Sequence, residues 1–173
     1  NQTGKYTFTQ FKTSSFQNIK PDVTSKTNPI IETYGSFTIK GTEGIDALIL
    51  NDSRQSYLLE KDENGPFRIQ NKNINDVLTG VERLKFSDTS FAIDINGNAG
   101  TAAKILGAVF GKESISNKSY VGIGLHFLDA GWTYDNLASL ALDAAGAKTN
   151  DQIVSLLWKN VIGTTATTND KAP

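Results

Sequence analysis

The run Asp94-Ile95-Asn96-Gly97-Asn98 sets oxygen-bearing side chains at its first, third and fifth positions. Ca2+ takes roughly six to eight oxygen ligands, and calcium loops present them at alternate residues. Two features depart from that pattern. Glycine falls at the fourth and seventh positions instead of the sixth, and the twelfth is Ile105, where a bidentate Glu would close the loop. A calcium site on Asp94, Asn96 and Asn98 therefore needs a distant carboxylate, for which Asp88 is the candidate. The same residues also suit a strand-to-helix turn, with Asn98 as the helix cap and Gly97 at positive φ.

Other chemistry-bearing residues are sparser. Asp62-Glu63-Asn64-Gly65 concentrates oxygens but reads as a solvated hairpin turn. Glu82 and Arg83 are adjacent, so in a strand they face opposite sides; a structural role follows, across the sheet or toward backbone groups at the β/α junction. His126 is the single histidine and stands three residues before Asp129, in pairing distance on a helix. No Gly-x-Ser-x-Gly elbow supplies a nucleophile for it, so no catalytic residues are assigned. Gly122 and Gly124 inside a helical pattern cost about 1 kcal/mol each relative to Ala, which predicts close approach by another helix or by the ring of Trp132 or Trp158. Trp132, Tyr134, Trp158 and Tyr120 suit either a sugar-stacking surface or a small core.

Composition narrows the classes. With 173 residues and no Cys, the chain has neither disulfides nor thiolate metal sites. A net charge of -1 lacks the basic excess of a nucleic-acid binder. The apolar runs fall far short of the roughly 20 residues that span a bilayer, so no membrane insertion is expected. No signal-peptide pattern opens the chain. The absence of Met, including at position 1, reads as a processed or excised segment.

These residues must be positioned by two dissimilar regions. Residues 1–97 read as short strands and turns, a small antiparallel sheet or a β-roll remnant. Tyr6–Thr9, Ser36–Lys40, Ala47–Leu50, Ser56–Glu60, Phe67–Gln70, Leu84–Phe86 and Phe91–Ile95 carry strand-like patterns. Lys12–Glu32, with Pro21 and Pro29, reads as a long loop. Glu63-Asn64-Gly65-Pro66 is a turn signal between two strands. Residues 98–163 read as four helices. Ala102, Ile105, Leu106, Val109 and Phe110 share one face, with Gly111 after the end. The second helix runs from about Asn117 to Asp129, with Tyr120, Val121, Leu125 and Leu128 inward. The third follows Thr133, with Leu137, Leu140, Ala141 and Ala144 on one stripe. Thr149 and Gln152 form a capping box for the fourth, with Ile153, Leu156, Leu157 and Val161 inward. Residues 164–173 read as a flexible tail. Lys104–Gly111 and Leu156–Gly163 match at several apolar positions and the closing glycine at an offset of 52 residues, which reads either as an internal repeat or as the common pattern of two amphipathic helices that end in Gly.

Gly80-Val81-Glu82-Arg83-Leu84-Lys85-Phe86-Ser87-Asp88, followed by Ala92-Ile93-Asp94, Asn96-Gly97-Asn98-Ala99-Gly100 and Val109-Phe110-Gly111, resembles the helical domain of unknown function that follows haemolysin-type (RTX) calcium-binding repeats in bacterial exoproteins. Gly41–Leu48 resembles a degenerate haemolysin-type turn, although tandem Gly-Gly-x-Gly-x-Asp nonapeptides are missing and a stacked calcium array is not expected. The resemblance covers about residues 36–163. It implies a large protein exported by a type I system, such as an adhesin, S-layer component or exoenzyme, without an established activity for the module.

The expected fold is α+β, an antiparallel β-rich segment followed by about four short helices. The expected function is a non-catalytic extracellular structural or adhesive module of a larger secreted or cell-surface bacterial protein. Its expected partners are other domains of the parent, other copies of itself or cell-surface glycans. The alternatives are a calcium- or carbohydrate-binding module and an accessory domain of a secreted hydrolase.

Overall fold

The computed structural model describes residues 27–61 and 65–171. The expected strand at Tyr6–Thr9 and the turn residues Asp62, Glu63 and Asn64 lie outside them. The chain divides into two compact units, one of Lys26–Ala99 and one that contains Gly100–Pro173. Strands fill the first and helices the second, so the class is α+β.

In the β unit, β1 (Thr27–Ile31), β3 (Ile45–Ile49), β7 (Arg83–Lys85) and β8 (Ser90–Ala92) form one sheet, in the order β1-β3-β7-β8. The second sheet, in the order β2-β6-β5-β4, contains β2 (Thr38–Lys40), β4 (Leu58–Lys61), β5 (Phe67–Gln70) and β6 (Asn75–Thr79). The sheets are mixed, where the sequence left an antiparallel sheet and a β-roll remnant open. β1 pairs parallel with β3, β3 with β7, and β2 with β6. The cause is the winding: β1, β2 and β3 alternate between the sheets, so the chain re-enters each sheet in its earlier direction. The β4–β5 hairpin interrupts the winding and adds the antiparallel pairs of the second sheet. β1 occupies part of the expected Lys12–Glu32 loop. Its Pro29 lacks an N–H, which an edge strand tolerates and a central strand does not.

One core joins both sheets. Leu48 and Leu84 from the first meet Ile69 and Leu78 from the second, with Leu50, Tyr57, Val81, Phe86 and Ile93 around them. Tyr57 donates its hydroxyl to Glu32 at 2.9 Å and accepts the Asp52 N–H at 3.2 Å. Burial, first, and then the Glu32 carboxylate push the Tyr57 hydroxyl up to about 12.

The helical unit contains α1 (Asn98–Phe110, from Gly100 onward), α2 (Lys118–Asp129), α3 (Tyr134–Ala144) and α4 (Asn150–Val161). Asn117 caps α2 by accepting from the Ser119 and Tyr120 N–H groups, and Thr133 caps α3. Thr149 and Gln152 form the expected capping box of α4. The core holds Ala102, Ile105 and Val109 of α1, Phe127 and Leu128 of α2, and Leu137 and Ala141 of α3. The buried residues of α2 are Gly124, Phe127 and Leu128; of the expected Tyr120, Val121, Leu125 and Leu128, Leu128 is buried and Leu125 packs partly buried against the core, while the face is rotated away from Tyr120 and Val121. The reason is Gly124. A Cβ there would stand 3.3 Å from the Ala102 Cβ, so the missing side chain lets α1 approach. The approaching group is a helix and not a tryptophan, and Gly122 faces open space. No helix among the described residues is long and apolar enough to cross a membrane.

Candidate functional site

The polar groups singled out in the sequence meet chiefly in the β unit. β3 carries Asp46 in its buried middle, 1 % exposed. A buried carboxylate requires donors, and the preceding loop supplies them. The Asp46 carboxylate accepts the Thr42 N–H at 2.9 Å and the Thr42 hydroxyl at 3.2 Å. Asn28 of β1 donates to the same hydroxyl at 3.1 Å. The carboxylate of the Gly-x-Asp turn at Gly44–Asp46 is thus held by Thr42, with Asn28 of β1 behind it.

The Asp46 N–H donates to Glu82 Oε2 at 2.8 Å. Arg83 follows on β7, largely buried, and its Nη1 donates to Asp94 Oδ1 at 2.5 Å and to the Glu82 carbonyl at 2.8 Å. Asp94 Oδ2 accepts the Ala99 N–H at 3.3 Å. A polar chain therefore runs Asn28–Thr42–Asp46–Glu82–Arg83–Asp94. It holds three carboxylates against one guanidinium. Burial is the largest influence on the Glu82 carboxyl and pushes it above its ordinary value. The Asp46 N–H lowers it, and the Asp46 and Asp94 charges raise it again.

Asp94, Asn96 and Asn98 line a groove of about 690 Å³ on this unit, together with Lys61, Phe67, Thr79 and Glu82. Asp88 does not line it and accepts the Arg54 N–H at 2.9 Å. Both oxygens of Asp94 are engaged by Arg83 and Ala99, which fits a turn fastener better than a cation ligand. Among the described residues, no three His, Cys, Asp or Glu side chains gather as a metal would need. Gly97 is not at positive φ, contrary to expectation. It is needed for space, because a Cβ there would lie 2.7 Å from Asp94 Oδ2. The first-turn N–H of α1 is taken by Asp94, while Asn98 already belongs to the helix.

The remaining candidates lie elsewhere. His126 is exposed on α2, its ring centroid 5.6 Å from that of Phe127. Trp132 packs on Phe127 at 4.4 Å, Tyr120 on Phe110 at 6.1 Å, and Trp158 donates to the Thr164 hydroxyl at 3.1 Å. The tryptophans and Tyr120 thus have separate partners.

Sequence reasoning missed Asp76. It occupies an inward position of β6 and is 1 % exposed. Oδ1 accepts the Phe37 N–H at 2.8 Å, while Oδ2 meets no donor among the described residues. Burial pushes this carboxyl above its ordinary value; the Phe37 N–H opposes the shift and the Glu32 charge adds to it. A raised folded-state value means that the group's favourable contribution is complete below the unfolded value of 3.8 and is lost as pH rises through the folded value. At neutral pH the buried charge is a net cost. Asp76→Asn keeps the Phe37 bond and is expected to stabilise the β unit by about 1–2 kcal/mol at pH 7. Denaturant melts at pH 7 and pH 3.5 check this, with the gain shrinking at the lower pH. Equal stability of variant and parent at pH 7 would count against it.

Compared with known protein families, with curated proteins and with solved structures, the chain matches none.

Proposed function

We propose that the chain is a non-catalytic structural or adhesive module of a larger secreted or cell-surface bacterial protein, acting with that protein's other domains, with further copies or with cell-surface glycans. One observation carries this: the acidic groups that the sequence singles out among the described residues of the β unit are used as fasteners. Asp46 closes its loop, Glu82 holds the Asp46 N–H, Asp94 ties Arg83 to the start of α1, and Asp88 holds the Arg54 turn. The resemblance to the helical domain that follows haemolysin-type repeats points the same way.

Melts with saturating Ca2+ and with EDTA test it, because a ligand bound only by the folded state raises the midpoint. A module fastened by its own side chains keeps its midpoint within about 1 °C between the two, whereas ~100 Kd of a specific ligand adds about 2.7 kcal/mol. A calcium-dependent rise of several degrees would make the Asp94–Asn98 segment a calcium site and the module a calcium binder.

A saccharide-binding role is the second reading, favoured by the groove. It sets amides, carboxylates, Thr79 and Lys61 beside the Phe67 ring, and polar groups placed around an apolar surface suit a polyhydroxylated ligand. The same melts with added cell-surface polysaccharide test this reading.

A further inference from the structure

The helical unit contains two copies of one helix end, and only one of them is covered. At an offset of 52 residues, Ile105 matches Leu157, Val109 matches Val161, Phe110 matches Ile162 and Gly111 matches Gly163. The backbone agrees, since Gly111 and Gly163 both stand at φ 85° after their helices. The match continues beyond them. Ser114 in the short turn after α1 is buried, and so is its counterpart Ala166 after α4. Asn117, the cap of α2, corresponds to Asn169, which opens a helical turn of its own at Asn169–Lys171. The two ends also touch: Asn160 Nδ2 donates to the carbonyls of Ala108 at 3.0 Å and Val109 at 2.7 Å.

Burial breaks the equivalence. Val109 is 4 % exposed, because α1 packs with Phe127 and Leu128 of α2 and Leu137 and Ala141 of α3. Its counterpart Val161 is 65 % exposed, and Ile162 beside it 57 %. Leu156 and Leu157 rest on the helical core, and the Lys171–Asp151 ion pair at 2.9 Å fastens the following turn to the start of α4. Neither reaches Val161 and Ile162. α4 is amphipathic yet holds no fully buried residue. An apolar helix face is stabilised by the layer packed on it.

We propose that the Val161–Ile162 face of α4 docks a helical pair of the α2–α3 kind, belonging to a second helical unit of this sequence type. The pair sits on α4 as α2 and α3 sit on α1. The inference stands independently of the groove and of the function proposed above. Units stacked in this way share nearest-neighbour interfaces and gain stability from each added neighbour.

The test is the full chain continued after Asn169 by a second copy of residues 118–163, compared with the parent by amide hydrogen exchange and thermal melting. Exchange of the α4 amides is expected to slow by about tenfold or more in the extended chain, with a rise of several degrees in the helical midpoint. Val161→Gln with Ile162→Gln, neutral at the C-terminal end of α4, should cancel that gain while leaving the parent's midpoint within about 3 °C, as exposed positions do. Unchanged α4 exchange in the extended chain would overturn the proposal. So would an equal loss from the double variant in both chains, which would make the face part of the parent's own packing. Dimerisation of the parent that the double variant abolishes would also overturn it, by assigning the face to a second copy of the whole chain.

Discussion

Gly41→Ala is expected to prevent the β unit from folding. A Cβ on Gly41 would lie 1.6 Å from the Gly80 carbonyl oxygen and 2.5 Å from its carbon, both backbone atoms. No rotamer relieves such a clash. The Gly41 N–H also donates to the Thr79 carbonyl at 2.8 Å, beside the parallel β2–β6 register, so the loop cannot withdraw without giving up that bond. The expected cost exceeds about 4 kcal/mol, in the range reserved for severe steric or burial defects. Amide exchange at β3 and β7 reads the result directly, as loss of protection. Gly80→Ala is the control. Its φ of +64° favours glycine, but the nearest atom to an added Cβ is 3.7 Å away, so the strain amounts to only about 1 kcal/mol. Equal melting of the two variants would refute the account of the Gly41–Gly80 crossing.

Arg83→Ala is expected to destabilise the β unit by about 3–5 kcal/mol, the usual cost of removing one partner from a buried pair. The side chains of Arg83 and Asp94 are only 10 % and 12 % exposed. The loss strands Asp94 and leaves Asp46, Glu82 and Asp94 without their guanidinium. The pH dependence distinguishes this from simple loss of packing. The Glu82 carboxyl already stands above 4.5, chiefly through burial, so its favourable contribution is complete at low pH and is lost as pH rises. Without Arg83 that loss steepens, and the gap between variant and parent narrows toward acid. Urea melts between pH 4 and pH 8 check this; a gap independent of pH would leave only packing. Arg83→Met with Asp94→Leu should recover part of the stability, because a buried pair can be replaced by apolar groups of similar size. The Ala99 cap remains lost in that double variant.

Local signals explain why the helices were legible. Thr149 with Gln152 and Thr133 cap helices where their types and spacing predict, and Gly111, Gly131, Gly146 and Gly163 all take positive φ behind the helix ends. Each rests on contacts within one turn of the backbone. The inward faces were less legible. The Gly124–Ala102 approach turns α2 toward Phe127, and Val161 lies exposed despite its place on the apolar stripe.

The β unit yielded less. β6 was invisible because its core positions hold Asp76 and Leu78, which breaks the apolar alternation. β1 was hidden by Pro29, acceptable only because β1 is an edge. The candidate site divided in the same way. Asp94, Asn96 and Asn98 were identified by spacing and do share a groove, whereas Asp88 serves the Arg54 turn.

The sequence by itself determined the α+β class, the division between strands and helices, the caps at Thr133 and Thr149 and the lack of any thiol chemistry. These follow from composition and from interactions among near neighbours. Only the tertiary structure decided which strands pair parallel and that Gly41 crosses Gly80. It also decided that Asp46, Glu82, Arg83 and Asp94 form one polar chain. Those relations join residues 11 to 39 positions apart, from Arg83 with Asp94 through Asp46 with Glu82 to Gly41 with Gly80, where direction and distance depend on how the chain returns and not on which residues stand side by side.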